Sequence, residues 1–139
     1  MKTSQRFFHQ LLMLYRPFEN RLVLLLGEHK LQRAQWTILY YLSNFGAATL
    51  VELSNYQAVE KPTITRTVHQ LKDLGYIEQV PSQDKREKKI QLSDLGQKVY
   101  NEVRVSIDQF EGDILKGVSE SEQLDAIRIM SEIRNNLIK

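Results

Sequence analysis

The sequence predicts a mainly α fold of the α+β kind, in which amphipathic helices are interrupted by one short hairpin. Three observations carry that reading. Apolar residues recur at three-and-four spacing through most of the 139 positions. Two capping-box patterns, Thr49 with Glu52 and Ser119 with Glu122, mark helix starts. Only between Gly75 and Ser93 does the periodicity change to alternation of apolar and polar residues.

The first helix is predicted from Phe7, Phe8, Leu11, Leu12, Tyr15, Phe18, Leu22, Leu25 and Leu26, which share one face, with Pro17 inside it and Gly27 as its stop. "RAQWTILYYLSNFG" forms a second helix ending at Gly46. Thr49 then caps a short third helix through about Tyr56, and Pro62, suited to a first helical turn, opens a fourth that ends at Gly75. Two short helices joined by a brief turn make a helix-turn-helix. "YIEQVP" and "KKIQLS" read as the strands of a hairpin, so the unit is a winged helix. Ser93 caps a helix running to about Lys116, with Leu95, Val99, Val103, Ile107, Phe110 and Ile114 on one side. A last helix shows Leu124, Ile127, Met130, Ile133 and Leu137.

The first and last elements carry apolar stripes with no partner inside a winged helix, and a helical homodimer is the simplest way to cover them. The expected organisation is an N-terminal dimerisation helix at 1–31, a winged helix-turn-helix at 32–98 and C-terminal dimerisation helices at 99–139. Net charge is only +2, but residues 1–31 hold five Lys/Arg against two acids, 32–98 nine against seven, and 99–139 five against eight. That split turns the basic part towards a polyanion.

Absence of cysteine excludes disulfides and thiolate chemistry. The uninterrupted apolar run near the N-terminus, Leu22 to Leu26, is far shorter than the roughly 20 residues of a membrane span. A cytoplasmic protein without membrane association is expected. His9, His29 and His69 lie in different elements without metal-ligand spacing, and no catalytic grouping or phosphate-binding glycine loop can be made out. The chain is therefore expected to be no enzyme and to need no metal or cofactor.

With Ile64 at the centre of the buried side of the fourth helix, about 100° per residue places Val68, Leu71 and Gly75 inward. Pro62, Arg66, His69 and Asp73 point away, flanked by Thr63, Thr65 and Gln70. Hydroxyl, guanidinium, amide and imidazole groups are those that reach phosphates and base edges in a major groove. A solvated helix face is the plainer explanation, and its place as second helix of a helix-turn-helix favours DNA contact. The hairpin tip "QDKREKK" holds six charges in seven positions. Asp84 can orient Arg86 there, with Lys85, Lys88 and Lys89 adding positive charge, as suits a minor-groove wing. A charged tip that prevents edge-to-edge aggregation explains the same residues.

"DKREKKIQLSDLG", Asp84 to Gly96, resembles the D-x-R-x-x-x-[aliphatic]-x-L-[ST]-x-x-G signature of MarR-type winged-helix transcription regulators. "TITRTVHQLKDLGYIEQ" is similar to their recognition helix running into the first wing strand, and "LQRAQWTIL" to the opening of their second helix. The resemblance implies an obligate homodimer with interdigitated terminal helices, bound to a pseudo-palindromic DNA operator. It implies DNA contacts from Thr63, Thr65 and Arg66, and from Arg86 oriented by Asp84. Many members are repressors released by small, often phenolic, effectors bound between dimer helices and winged helix. Tyr15, Arg16, Trp36 and Tyr40 stand in those elements, although no motif fixes a pocket and core packing explains the aromatics equally well. Pro62 departs from the family's usual Ser and Gln32 from its usual Thr, and the lack of cysteine sets the chain apart from the peroxide-sensing branch.

The expected function is thus a homodimeric, sequence-specific DNA-binding regulator, a repressor in the first instance, released by an aromatic ligand. The alternatives are a winged-helix adaptor that binds protein and not DNA, and a carrier of apolar ligands.

Overall fold

A computed structural model describes residues 1–57, 60–81 and 88–138, that of Lys61 in its backbone only. The order is α1 (Thr3–Glu28), α2 (Arg33–Phe45), β1 (Ala48–Thr49), α3 (Leu50–Gln57), α4 (Lys61–Asp73), β2 (Ile77–Gln79), β3 (Lys89–Leu92), α5 (Asp94–Ile114) and α6 (Glu120–Leu137). These elements make a mainly α winged helix-turn-helix. The chain divides into two compact units, Met1–Ile107 and Asp108–Lys139.

Helix α1 runs through Pro17 and past Gly27, one residue beyond the expected stop. Its last turns are anchored, with Leu22 and Leu26 buried, whereas Phe7, Phe8, Leu11 and Leu12 nearer its start are exposed. Gln32 caps α2 in an unexpected way. Its own backbone N–H donates to Gln35 Oε1 at 2.9 Å, so the amide three residues on satisfies a donor that the helix leaves open. Thr49 behaves as expected, its Oγ1 accepting from the Glu52 N–H at 3.2 Å.

The sheet has three strands in the order β1-β3-β2, all antiparallel, where alternation alone predicts a two-stranded hairpin. Ile90 stands opposite Ala48 on one side and Gln79 on the other. Ala48, Ile77 and Ile90 are buried together with Ile38, Leu39, Leu53, Ile64 and Leu71, so the sheet and the helix-turn-helix share one core. Burial is worth about 25 cal/mol per Å² of apolar surface, which makes these side chains the main hold on the angle of α4.

Ser93 joins the end of this sheet to α5. Its hydroxyl donates to the Gly75 carbonyl and accepts from the Gly96 N–H at 3.0 Å. Gly75 has φ +80°, the left-handed conformation that lets the chain leave α4 and turn into β2. In α5, Tyr100, Val103 and Ile107 are buried. The second unit contains α6, whose start carries the full reciprocal cap: Glu122 N–H to Ser119 Oγ at 3.1 Å, Ser119 N–H to Glu122 Oε1 at 2.9 Å. Leu124, Ile127, Met130 and Leu137 of α6 are exposed. Among the described residues no helix is long and apolar enough to cross a membrane.

Candidate nucleic-acid interface

Helix α4 takes its pose from its buried face. Ile64 and Leu71 are fully buried and Val68 nearly so. Thr67 completes that face, although its hydroxyl makes it an unobvious core residue. Burial is tolerated because Thr67 Oγ1 donates to the Thr63 carbonyl at 3.1 Å, so the polar group is satisfied within the helix. The opposite face carries Pro62, Thr63, Arg66 and His69, all exposed, with Thr65 half-buried at its margin. The face set out from the sequence wheel is therefore brought together on one side of one helix.

Gln70 lies at the edge. It is half-buried, and its Oε1 accepts from Gln35 Nε2 at 3.2 Å. Gln35, 6% exposed, was not among the residues singled out from sequence. The signal that could have found it is its place three residues after the cap position of α2, the spacing from which a Gln side chain reaches back.

Three consecutive residues at the start of α2 tie its neighbours. Arg33 is paired with Glu19 of α1, Nε to Oε2 at 3.1 Å, and also donates to Thr37 Oγ1 at 2.8 Å. The Ala34 carbonyl accepts from Gln57 Nε2 of α3 at 3.2 Å. Gln35 holds Gln70 of α4. The first turn of α2 thereby fixes both helices of the helix-turn-helix.

On the wing side, Gln91 Nε2 donates to Glu78 Oε1 at 3.1 Å and Val80 N–H donates to the Lys89 carbonyl at 2.9 Å, which keeps β2 and β3 paired towards the tip. Lys88 is exposed at the described end of β3. Asp84, Lys85 and Arg86 lie outside the described residues.

Aromatic rings stiffen the scaffold behind this face. Trp36 stacks on Tyr100, and Tyr41, Phe45 and Tyr56 form a second cluster between α2 and α3. Partial burial, followed by the neighbouring Tyr40, raises the Tyr56 phenol above its ordinary value.

Comparison with known proteins matches residues 29–87 to the MarR family, a span that runs from the end of α1 to the wing. An uncharacterized HTH-type transcriptional regulator of Bacillus subtilis, YwoH, is 38% identical over 85 residues, 61% of this chain and 62% of that protein. An uncharacterized HTH-type transcriptional regulator of Staphylococcus aureus is 29% identical over 98% of this chain and 95% of its own length. Among solved structures, a Staphylococcus aureus MarR in complex with salicylate and kanamycin superposes with a TM-score of 0.86 at 28% identity, covering 97% of this chain and 92% of that one.

Proposed function

We propose that the chain, which is similar to the MarR family over residues 29–87 and to HTH-type transcriptional regulators, is a winged-helix transcriptional regulator and not an enzyme, and that it acts as a homodimeric repressor that reads a pseudo-palindromic operator. In this reading Thr63, Thr65, Arg66, His69 and Gln70 of α4 enter the major groove, with Pro62 setting the first turn against the phosphates. Lys88, with Asp84, Lys85 and Arg86 of the wing, contacts the adjacent minor groove. The functional division is 1–31 and 99–139 for pairing and 32–98 for DNA.

The observation that carries the reading is the exposed face of α4, where Thr63, Arg66 and His69 stand clear of the core on the second helix of a helix-turn-helix. Support for pairing comes from the uncovered apolar residues of α1 and of α6, more than a soluble monomer ordinarily leaves in water. A second copy of the chain covers them and sets the two α4 helices about one duplex turn apart, roughly 10 bp. Release by a small aromatic acid is supported by the salicylate held by the Staphylococcus aureus relative.

Selection of bound duplexes from a random pool tests the proposal. The expected product is a sequence with two-fold symmetry, and salicylate or another phenolic acid is expected to lower its retention. A pool that yields no enriched duplex, with protein partners captured instead, would favour the adaptor reading. Enrichment of a single asymmetric half-site would overturn the dimer.

A further inference from the structure

The Gln32–Gln35–Gln70 chain has a direction set by chemistry. A backbone N–H can only donate, so the atom of Gln35 that faces the Gln32 N–H at 2.9 Å is its carbonyl oxygen. The other end of the same amide, Nε2, is then a donor, and it points at Gln70 from a position closed to water. Gln70 must answer with its oxygen. Its own NH₂ group is then the end of the amide not engaged by Gln35.

We propose that Gln35 is a specificity-positioning residue: through Gln70 it makes α4 present a hydrogen-bond donor, and not an acceptor, to the DNA at this position. This rests on the reading of α4 as the DNA-contacting helix. A free glutamine amide pairs with adenine through both ends, accepting from N6 and donating to N7. With its oxygen turned inward to Gln35, Gln70 cannot form that pair. It retains two N–H groups, which match both major-groove acceptors of guanine (N7 and O6), whereas adenine (N7) and thymine (O4) offer one each.

Burial makes the constraint firm. Turning the Gln35 amide over would set an NH₂ against the Gln32 N–H and a carbonyl against the Gln70 oxygen, leaving both ends of a buried amide without a partner. The buried amide of α2 therefore decides what a half-buried amide of α4 shows outside.

Two measurements test this. In the free protein, NMR is expected to show coupling across the hydrogen bond from Gln35 Nε2 to the Gln70 side-chain carbonyl, with slow exchange of the Gln35 amide protons. Rapid exchange and no coupling would overturn the proposal without reference to DNA. In duplex selection, wild-type protein is expected to prefer guanine over adenine by about tenfold at one position of each half-site, a preference lost in Gln70→Ala. Gln35→Glu supplies acceptors to both neighbours, so Gln70 turns over and the preference at that position moves to adenine or cytosine, whose exocyclic amines donate. An unchanged preference in a folded, DNA-binding Gln35→Glu protein would overturn the proposal. If wild-type, Arg66→Ala and Gln70→Ala proteins all fail to enrich any duplex, it is the DNA reading itself that falls.

Discussion

The indole of Trp36 lies flat on the ring of Tyr100, with centroids 4.9 Å apart and planes 7° from parallel. This stack joins α2, which orients the helix-turn-helix, to α5, and both residues are buried. The Tyr100 hydroxyl is not idle, since it accepts from Asn44 Nδ2 at 3.0 Å.

Replacing Trp36 with Ala removes that buried plate and is expected to lower unfolding stability by about 3–5 kcal/mol. Tyr100→Phe keeps the stack and loses only the hydrogen bond, at about 1 kcal/mol. Urea unfolding followed by far-UV circular dichroism checks both, and equal losses in the two variants would contradict the stacking account.

Gly96 is a second structural fixture. A Cβ there would overlap the Tyr76 carbonyl oxygen, which is itself tied to the Ser93 N–H at 3.0 Å. Both partners are backbone, so neither can swing aside. Gly96→Ala is expected to cost about 1–3 kcal/mol, read as a fall in the urea midpoint. Gly112→Ala, where a Cβ meets nothing within 4 Å, is the control and is expected to hold or gain stability.

Arg66 and Lys88 are exposed on different elements, and their removal should leave different signatures. Arg66→Ala is expected to weaken operator binding by about 1–3 kcal/mol and to relax base preference in each half-site. Lys88→Ala should weaken all duplexes alike and reduce the salt slope by about 1 per protomer. Fluorescence anisotropy at several salt concentrations, with selected and scrambled duplexes, separates the two.

Pairing of copies is tested on the exposed apolar faces. Leu12→Glu in α1 and Ile127→Glu in α6 place charges where a second copy would bury them, without touching the core of either unit. Sedimentation is expected to show monomers at concentrations where the unaltered protein is dimeric, with helix content retained. Unaltered protein that sediments as a monomer would refute the pairing.

The α6 cap is pH-dependent. The Ser119 backbone N–H, then its hydroxyl, hold the Glu122 carboxyl below its ordinary value. A lowered folded-state value means the carboxylate stabilises the capped helix fully above the unfolded-state value, and that contribution is lost as pH falls through the folded-state value. Side-chain shifts of Glu122 followed from neutral to acid should titrate below those of a free glutamate. Gln at this position keeps the acceptor for Ser119 N–H and should remove this carboxylate's contribution to the pH dependence of α6.

The helices were legible because each has a long run of apolar residues at one period, and their caps are polar residues at fixed spacing. Strand β1 was not: Ala48 and Thr49 are too few to alternate, and what makes them a strand is backbone pairing with Ile90 and Lys89 some forty positions away. Boundaries shifted by a residue or two, as at Gly27, which α1 passes to end at Glu28. In the candidate site, the outward face of α4 followed from the wheel, but Thr67 and Gln35 did not, because their polar atoms are buried through bonds that periodicity does not register. Asp84, Lys85 and Arg86 carry the strongest local motif, and their geometry lies outside the described residues.

The double role of the Ser93 hydroxyl has a mechanical consequence. By gripping the last turn after α4 and the first turn of α5 at once, it makes the exit of one helix and the entry of the other a single rigid joint. Torque applied along α5 is then delivered to the end of α4 and to the root of the hairpin together, so the two turn as one.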